Sequence, residues 1–402
     1  MENTRTTDGL DAARRALEEG ENFRAYDLAE RAAGESPEKL RVMALALARS
    51  GALGRARELA ERLPDGEDSE IMGLKSRLYK DLALASRNSA ERLEWFGKAA
   101  ATSERVFRSK RRYYNGINAA SCRFMAGDRE AARRLVQEEV LPLCAAETER
   151  DFWLVATLGE CRLLLGEYGE AKALYLEAAR LANRARSMGS FSSTIRQLRM
   201  LAGEIGPEAD GVLPEAELPC VAVFSGHMID APGRAKPRFP AAAEAGVRAL
   251  LRKLVADRRV AAGYASCACG GDILFLEAVL EAGGRVVVVP PLPLEKAIAR
   301  SVAFAGGDWV ERLRRILAHP AATVLEAECD ETGEDDDIVY DFCNRYLAGL
   351  AFLKARQLGL PVRGMCVWNG VESGFEGGTD SAVRLWRTAG VDVDVVEPEV
   401  VK

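Results

Sequence analysis

The chain has 402 residues, of which 48% are hydrophobic and 29% are charged, a composition typical of a globular protein with two or three domains. It contains no run of eighteen apolar residues and no apolar signal segment at its N-terminus, so we expect a cytoplasmic protein without membrane spans. The net charge is −6, and residues 207–402 carry 21 basic against 29 acidic side chains, which argues against direct nucleic-acid binding.

The nine cysteines and two histidines bear on metal and disulfide chemistry. No two cysteines form a CxxC pair, and the closest two, Cys267 and Cys269, flank a single alanine. In a cytosolic chain such cysteines are typical of small buried apolar residues. Two histidines exclude a histidine-rich site, so we expect no metal cofactor.

Residues 8–200 show helical periodicity and almost no strand signal, and we assign residues 1–202 to a helical domain. A glycine followed five residues later by an alanine recurs at Gly20/Ala25, Gly51/Ala56, Gly127/Ala132 and Gly166/Ala171, and a degenerate copy is expected at 95–100. A period in the thirties predicts stacked helix pairs of the tetratricopeptide (TPR) type, with glycine at each turn. Stacked pairs present a concave groove, which suits a protein partner or self-association.

The segment Tyr113-Tyr-Asn-Gly-Ile-Asn-Ala-Ala120 carries a family resemblance. With 124–128, 151–157 and 166–178, it resembles the TRAFs-binding domain, a TPR-like module of apoptosis-signal-regulating kinases and bacterial proteins. The similarity covers roughly residues 70–200. These side chains pack between helices, or Tyr113, Asn115 and Asn118 line the groove. The basic residues in 105–112 are either a solvated helix face or a site for a phosphate or acidic partner.

The pattern changes after residue 202. Residues 203–219 are rich in glycine, proline and acidic side chains and are assigned as a linker. Strands are predicted at 220–224, 261–265, 285–290, 322–327, 363–368 and 391–396, with helices near 240–257, 272–282, 308–318, 338–358 and 379–389. This alternation predicts a Rossmann-like α/β domain over 220–402, with a mostly parallel sheet covered on both faces.

Three loops that follow predicted strands contain the candidate ligand-binding residues. These are Ser225, Gly226, His227, Asp230 and Arg234 in the first loop, Gly270, Gly271 and Asp272 in the second, and Gly377, Gly378 and Thr379 in the third. Because parallel strands end at one edge, exposed N–H groups and helix N-termini should converge there, an arrangement that binds phosphate. The sequence therefore predicts a nucleotide or nucleotide-derived ligand at this edge, with Asp230 or Asp272 accepting from a ribose hydroxyl.

Each of these residues also has a structural interpretation, which stays open at this point. Asp230 and Arg234 could pair with each other on a surface loop, and for a hydrolytic site Arg234 or Arg238 could supply the phosphate clamp. Asp272 could cap its helix, and Thr379 or Asp380 could cap the helix after the third loop. The glycine pairs could serve only tight turns.

The C-terminal half carries a second family resemblance. The span 262–290 resembles the DprA pattern of strand, small-residue loop, Gly-x-Asp, helix and strand, and the block 224–379 is similar to a SLOG-like domain of bacterial signalling proteins. The resemblance implies a Rossmann-like sheet that binds nucleotides or their derivatives, sometimes hydrolytically. LOG phosphoribohydrolases carry Pro-Gly-Gly-x-Gly-Thr followed by a glutamate. Here Gly270-Gly271 precede Asp272 without Gly-Thr, although Glu277 lies at the offset of that glutamate.

Three functions are compatible with these patterns. The favoured one is a signalling protein whose SLOG-like domain binds a nucleotide-derived ligand and whose helical repeats bind a protein. The second is a nucleoside 5′-phosphate phosphoribohydrolase with Glu277 as the acid/base. The third is a non-catalytic scaffold.

Overall fold

The computed structural model describes residues 2–64, 68–184, 188–212, 218–327 and 336–398. The chain divides into two compact units, Met1–Ala216 and Glu217–Lys402. The first unit is helical and the second contains a six-stranded parallel sheet with flanking helices. The predicted fold class, a TPR-like helical region followed by a parallel α/β sheet, is confirmed.

The N-terminal unit is built from helix pairs. Its helices are α1 (Glu2–Glu18), α2 (Asn22–Arg31), α3 (Pro37–Arg49), α4 (Leu53–Glu61), α5 (Ser69–Ala85), α6 (Ser89–Lys110), α7 (Tyr113–Met125), α8 (Arg129–Leu135), α9 (Leu141–Ala145), α10 (Phe152–Leu165), α11 (Tyr168–Arg184) and α12 (Met188–Ile205). A π-helical turn at Val136–Val140 joins α8 to α9. Helices α1, α3, α5, α7 and α10 each pack against the next helix along the chain, which gives five stacked pairs.

The glycine–alanine repeat marks four of the five turns between paired helices. Gly20, Gly51, Gly127 and Gly166 have φ values of 76°, 87°, 95° and 85°, a backbone conformation that glycine adopts without strain. The alanines five residues later, Ala25, Ala56, Ala132 and Ala171, are all fully buried. A methyl group at these positions allows the paired helices to approach closely.

The turn between α5 and α6 departs from the repeat. The degenerate copy expected at 95–100 lies inside α6, whereas the turn itself falls at 86–88. There Asn88 caps α6 by accepting hydrogen bonds from the N–H groups of Ala90 and Glu91. The expectation of a glycine turn at 95–100 is therefore wrong, because an asparagine cap starts this helix instead.

Helix α12 follows the last pair and packs back against α1 and α7 as well as α11. Its Gly189 lies against the turn between α1 and α2, where a β-carbon would come within 2.2 Å of the Leu17 carbonyl oxygen. The helix ends at Ile205 and so extends into the segment predicted as the 203–219 linker. Residues 213–217 of that segment lie outside the described part of the chain.

The C-terminal unit contains six parallel strands. They are β1 (Cys220–Gly226), β2 (Val260–Ala265), β3 (Arg285–Val288), β4 (Ala322–Val324), β5 (Val362–Val367) and β6 (Val393–Val396), and its helices are α13 (Glu244–Asp257), α14 (Gly271–Glu281), α15 (Leu294–Ser301), α16 (Trp309–Leu317), α17 (Asp336–Leu358) and α18 (Thr379–Thr388). The strand order is β4-β3-β2-β1-β5-β6. The long connection between β4 and β5 therefore returns the chain to the other side of β1.

The sheet is held by a continuous apolar core. Phe224 of β1 stacks on Phe275 of α14, with ring centroids 4.4 Å apart. Gly263 of β2 meets the same ring, since a β-carbon there would lie 2.9 Å from Phe275. These contacts fix α14 on the sheet and thereby position the loops at its N-terminal end.

The cysteines behave as apolar residues. The eight cysteines in the described ranges are all buried and free, while Cys329 lies outside those ranges. Desolvation raises the pKa of Cys267 to about 12, which keeps this thiol protonated. Within the same ranges, no helix has the length and hydropathy needed to cross a bilayer.

Candidate functional site at the carboxyl edge of the sheet

The strand order brings the three predicted loops side by side. Strands β2, β1 and β5 are neighbours, and the three loops follow their carboxyl ends. From β1 the chain builds the sheet outward through β2, β3 and β4, and it then continues with β5 and β6 on the opposite side of β1. The crevice between the ends of β1 and β5 is a topological switch point, where open α/β sheets bind ligands.

His227 joins the loops after β1 and β5. Its backbone N–H donates to the Val367 carbonyl at 2.9 Å, and its Nε2 lies 3.0 Å from Oδ1 of Asn369. Asn369 Oδ1 also accepts from the N–H of Val371, which identifies it as an acceptor, so Nε2 of His227 carries the proton and Nδ1 is left as an acceptor. Burial lowers the pKa of His227, and the ring is neutral at neutral pH.

The glycines of the second loop pack against the first loop. The Gly271 N–H donates to the His227 carbonyl at 3.0 Å, and a β-carbon at Gly271 would lie 2.8 Å from Cα of Gly226. At Gly270, which has φ of 92°, a β-carbon would lie 2.7 Å from the N atom of Ile229. These glycines permit backbone-to-backbone contact, so the loops after β1 and β2 pack directly against each other at Gly226, Gly270 and Gly271. The three glycines do not form an open phosphate-binding loop.

Asp272 connects the same two loops by hydrogen bonds. Its two carboxylate oxygens accept hydrogen bonds from the N–H groups of Gly226 and Ala268, each at 3.2 Å. The side chain is buried, and desolvation raises its pKa to about 7, against the two hydrogen bonds, which lower it. The carboxylate therefore connects the two loops, and it does not cap α14, whose N-cap residue is Gly270. The contact of Asp272 with a ribose stays a prediction.

Asp230 organises the loop after β1. Its Oδ2 accepts from the N–H groups of Arg238 and Phe239 at 2.8 and 2.9 Å, and its Oδ1 lies 3.3 Å from Nε of Arg234. The structural alternative, in which Asp230 and Arg234 pair with each other, is what the structure has. Asp230 thus organises its own loop through Oδ2, while its buried Oδ1 has no hydrogen-bond partner within the described ranges. The contact of Asp230 with a ribose hydroxyl stays a prediction.

Arg238 is a cation of this loop whose buried Nε donor has no hydrogen-bond partner within the described ranges. Burial and the positive charge of Arg234 lower the pKa of Arg238, while Asp230 and Asp380 raise it. Because Asp380 lies in the first turn of α18, Arg238 connects the loop after β1 electrostatically to the third loop.

The third loop ends in the N-terminus of α18. Gly377 has φ of 99°, and its carbonyl accepts a hydrogen bond from the Asn344 amide of α17 at 2.9 Å. Gly378 occupies the cap position, where no side chain caps the helix. Thr379 follows as the first helical residue and is buried. Uncapped N–H groups at a helix N-terminus attract anions.

Asp380 rigidifies this loop. Its carboxylate accepts from the backbone N–H of Ser373 at 3.0 Å and from the Ser373 hydroxyl at 2.8 Å. Burial raises the pKa of Asp380, but these hydrogen bonds outweigh burial and hold the pKa below its usual value. The carboxylate is therefore charged at neutral pH, and its charge acts on Arg238.

Glu277 lies in an ion-pair network away from these loops. Its carboxylate receives both Nε, at 2.8 Å, and Nη2 of Arg312 in α16, and Arg312 also pairs with Glu244. The Arg312 side chain is only 4% exposed and packs over the Trp309 ring. The acid/base role that the resemblance implied for Glu277 is not supported, because this carboxylate neutralises a buried arginine.

The helical unit contains a second candidate region, a cavity of 1210 Å³. Residues of α1, α3, α5, α7, α10 and α12 line most of it, as expected for the concave face of stacked pairs, and α6 and α9 contribute at its margin. Tyr113, Asn115 and Asn118 all lie on its wall, which supports the second interpretation of these residues. In the basic segment 105–112, residues 110–112 reach the cavity, whereas Arg108 is exposed.

The comparisons with known proteins concern mainly the helical unit. Residues 10–123 match the family model described as Tetratricopeptide Repeats-Sensor, TPR-S. No curated protein matches the chain. A thermophilic TPR protein of Thermus thermophilus is similar at 20% identity and a TM-score of 0.38, over 48% of this chain and 99% of that one. Full-length LpoA of Haemophilus influenzae is similar at 11% identity and a TM-score of 0.21, over 98% of this chain and 65% of LpoA. The N-terminal region of this chain is TPR-like.

Proposed function

We propose that the C-terminal unit binds a nucleotide-derived ligand in the crevice between the ends of β1 and β5. The ligand phosphate would lie at the uncapped N-terminus of α18, against Gly377, Gly378 and Thr379. Arg238 would pair with the phosphate charge. This assignment follows the resemblance to SLOG-like domains but uses fewer of the predicted residues.

The observation that carries the proposal is the convergence of three features at the switch point. They are the neutral His227 ring with Nδ1 as an acceptor, the buried Nε of Arg238, which has no hydrogen-bond partner within the described ranges, and helix α18, whose N-cap residue provides no side-chain cap. A buried donor without a partner costs free energy unless a ligand satisfies it. The His227 acceptor suits a ribose hydroxyl or an exocyclic amine of a base.

The TPR-like unit supports a role in sensing or in protein interaction. TPR-type repeats bind proteins through extended surfaces, and the family matched by residues 10–123 is described as a sensor. We therefore propose a signalling protein in which the sheet unit reads a nucleotide-derived ligand and the helical unit contacts a protein, including a second copy of this chain. Since α12 packs against the inner helices α1 and α7, a protein partner would contact the surfaces that α12 leaves uncovered.

The test is a calorimetric titration of the full chain with AMP, ADP, ADP-ribose and a cyclic dinucleotide. We expect at least one to bind, and Arg238→Ala should weaken its binding about tenfold to a hundredfold, the loss of one charged hydrogen-bonding partner. Arg252→Ala is the matched control, because Arg252 is an exposed arginine that pairs with Glu281. Equal losses in both variants, or no binding by any nucleotide to the folded chain, would contradict the proposal.

A further inference from the structure

The cavity of the helical unit has a strongly cationic wall. Nine lysine and arginine side chains line it, against five carboxylates. Two of these cations have close acidic partners: Arg41 pairs with Glu38 and Glu70, and Arg111 with Glu139. A group of buried or half-buried arginines lies where α3, α5 and α12 meet.

Three arginines from three helices lie close together there, and two of them share one hydroxyl as acceptor. Nη2 of Arg49 in α3 and Nη1 of Arg77 in α5 donate to Oγ of Ser193 in α12 at 3.3 and 3.2 Å. The third is Arg196, one helical turn after Ser193, for which the described residues provide no hydrogen bond or ion pair. A neutral hydroxyl is a poor substitute for the acidic partner that clustered guanidinium groups require.

The donor groups of this cluster are only partly used. Arg49 donates Nη1 to the Leu17 carbonyl at 2.7 Å, but within the described ranges its buried Nε has no acceptor, and neither has Nη2 of Arg77. Asp81 is the acidic group at the cluster, and its Oδ2 lies 3.5 Å from Nε of Arg77. Asp81 thus pairs with Arg77 and also interacts electrostatically with Arg196.

The other buried carboxylate of the cavity does not compensate. Glu160 accepts hydrogen bonds from the hydroxyl of Ser121 and from Nε2 of Gln197, at 2.9 Å in the second case. Burial raises its pKa. Lys80, the nearest lysine, donates to the neutral side chains of Asn118 and Gln197.

Burial and mutual repulsion lower the pKa values of two of these arginines. Burial, followed by the charges of Arg77 and Arg196, lowers the pKa of Arg49 to about 9. Burial and Arg77 likewise lower the pKa of Arg196 to about 10. Both groups are still charged at neutral pH. The cluster therefore has a positive charge that the acidic groups in the described part of the chain do not fully neutralise.

An aromatic pair adjoins the arginines. Tyr114 and Trp153 lie edge to face with ring centroids 5.7 Å apart, and both line the cavity. They are 44% and 38% exposed, high values for large aromatic side chains. Tyr114 interacts electrostatically with both Arg49 and Arg77, so the exposed rings and the cations form one continuous wall.

We propose that this cavity is a binding site for a phosphorylated small molecule with a planar ring, whose phosphates pair with Arg49, Arg77 and Arg196 and whose ring packs on Tyr114 and Trp153. Guanidinium groups bind phosphate in bidentate geometry, and aromatic side chains stack on heterocycles. The site is distinct from the crevice at the sheet edge, and neither proposal depends on the other.

The position of α12 favours a small molecule over an acidic protein segment. Ser193 and Gln197 of α12 bond to side chains of α3, α5 and α10, so this helix already spans the inner face of the repeats. Gly189 anchors its start in backbone contact with the turn between α1 and α2. A partner helix would have to displace α12, whereas 1210 Å³ accommodates a nucleotide-sized ligand with α12 in place.

The test is a calorimetric titration of the full chain with inorganic pyrophosphate and with ADP, which adds a planar ring. We expect both to bind, ADP more tightly. Arg49→Met and Arg196→Met should each weaken the binding of both ligands about tenfold to a hundredfold. Trp153→Ala should weaken ADP binding but leave pyrophosphate binding unchanged, and Arg62→Ala, at an exposed arginine paired with Glu35, is the neutral control.

A stability measurement separates a ligand site from a structural cluster. Without ligand, Arg196→Met should raise the melting temperature, because it removes a repelling charge that has no partner among the described residues, and pyrophosphate should then no longer raise it further. A lower melting temperature in Arg196→Met would show that this arginine stabilises the fold and would overturn the proposal. The proposal also fails if pyrophosphate does not bind, or if Arg238→Ala at the sheet edge abolishes its binding while Arg49→Met does not.

Discussion

His227 Nε2 and Asn369 Oδ1 lie 3.0 Å apart and connect the loops that follow β1 and β5. Asn369→Ala would leave the buried Nε2–H of His227 without an acceptor, so we expect a loss of about 1–2 kcal/mol in the free energy of unfolding. A double-mutant cycle with His227→Ala, measured by urea denaturation, should show coupling of about 1 kcal/mol. Additive losses would mean that the two side chains do not interact.

Asp272 makes the stability of the sheet unit depend on pH. Its folded-state pKa of about 7 exceeds the ordinary aspartate value of 3.8, so the protonated carboxyl stabilises the fold fully below pH 3.8, and this contribution is lost as pH rises through 7. The loss is on the order of 4 kcal/mol. Asp272→Asn does not titrate, so its stability relative to the natural chain should increase between pH 4.5 and 7.5 in urea denaturation. A difference that stays constant over this range would contradict the assignment.

Two glycines of α12 provide a matched pair of substitutions. Gly189→Ala places a β-carbon 2.2 Å from the Leu17 carbonyl oxygen and should displace the helix, at a cost of about 1–3 kcal/mol. Gly203→Ala in the same helix meets no atom within 4 Å and should stabilise the chain by about 0.5–1 kcal/mol through helix propensity. Thermal denaturation measures both, and equal effects would show that α12 is not in contact with the turn after α1.

Glu277→Gln distinguishes an ion-pair partner from a catalytic acid. The substitution weakens the charged contacts to Arg312, whose remaining carboxylate is Glu244, so we expect about 2 kcal/mol lower stability. Nucleotide affinity should stay unchanged in the titration. If the variant instead kept full stability and lost a base-releasing activity on nucleoside monophosphates, Glu277 would be the acid/base of a hydrolase.

Much of the fold was predictable because backbone conformation and helix packing require particular residue types at regular positions. The four glycine turns need positive φ and the buried alanines need small volume, and both demands appear directly as a repeat in the sequence. The alternation of strands and helices after Cys220 predicted the parallel sheet for the same reason. The pair formed by α5 and α6 lacks the repeat, because Asn88 caps α6 and the turn before this helix contains no glycine.

The sequence predicted the position of the candidate site at the sheet edge but not the contacts of its individual residues. Parallel strands fix the edge at which loops gather, but a glycine that lets a phosphate approach looks the same in sequence as one that lets another backbone approach. Gly270 and Gly271 proved to be of the second kind. Likewise Asp230 and Asp272 are bound by backbone N–H groups that no sequence pattern identifies.

The arginine cluster was missed because its members come from distant segments. Arg49, Arg77 and Arg196 lie on α3, α5 and α12, and each alone is an ordinary helical arginine. Only the return of α12 across the inner helices brings Ser193 and Arg196 close to Arg49 and Arg77. The exposed Trp153 beside Tyr114 gave a partial signal, since the resemblance to TRAFs-binding domains singled out both segments.

A nucleotide-derived ligand between the loops after β1 and β5 should protect their backbone amides from solvent. Amide hydrogen exchange of the full chain, with and without the nucleotide that binds most tightly in the titration, measures this protection. We expect slower exchange in two peptides, 225–239 and 368–381, and Arg238→Ala should abolish both effects. Unchanged exchange in these peptides at saturating nucleotide would contradict binding at this site.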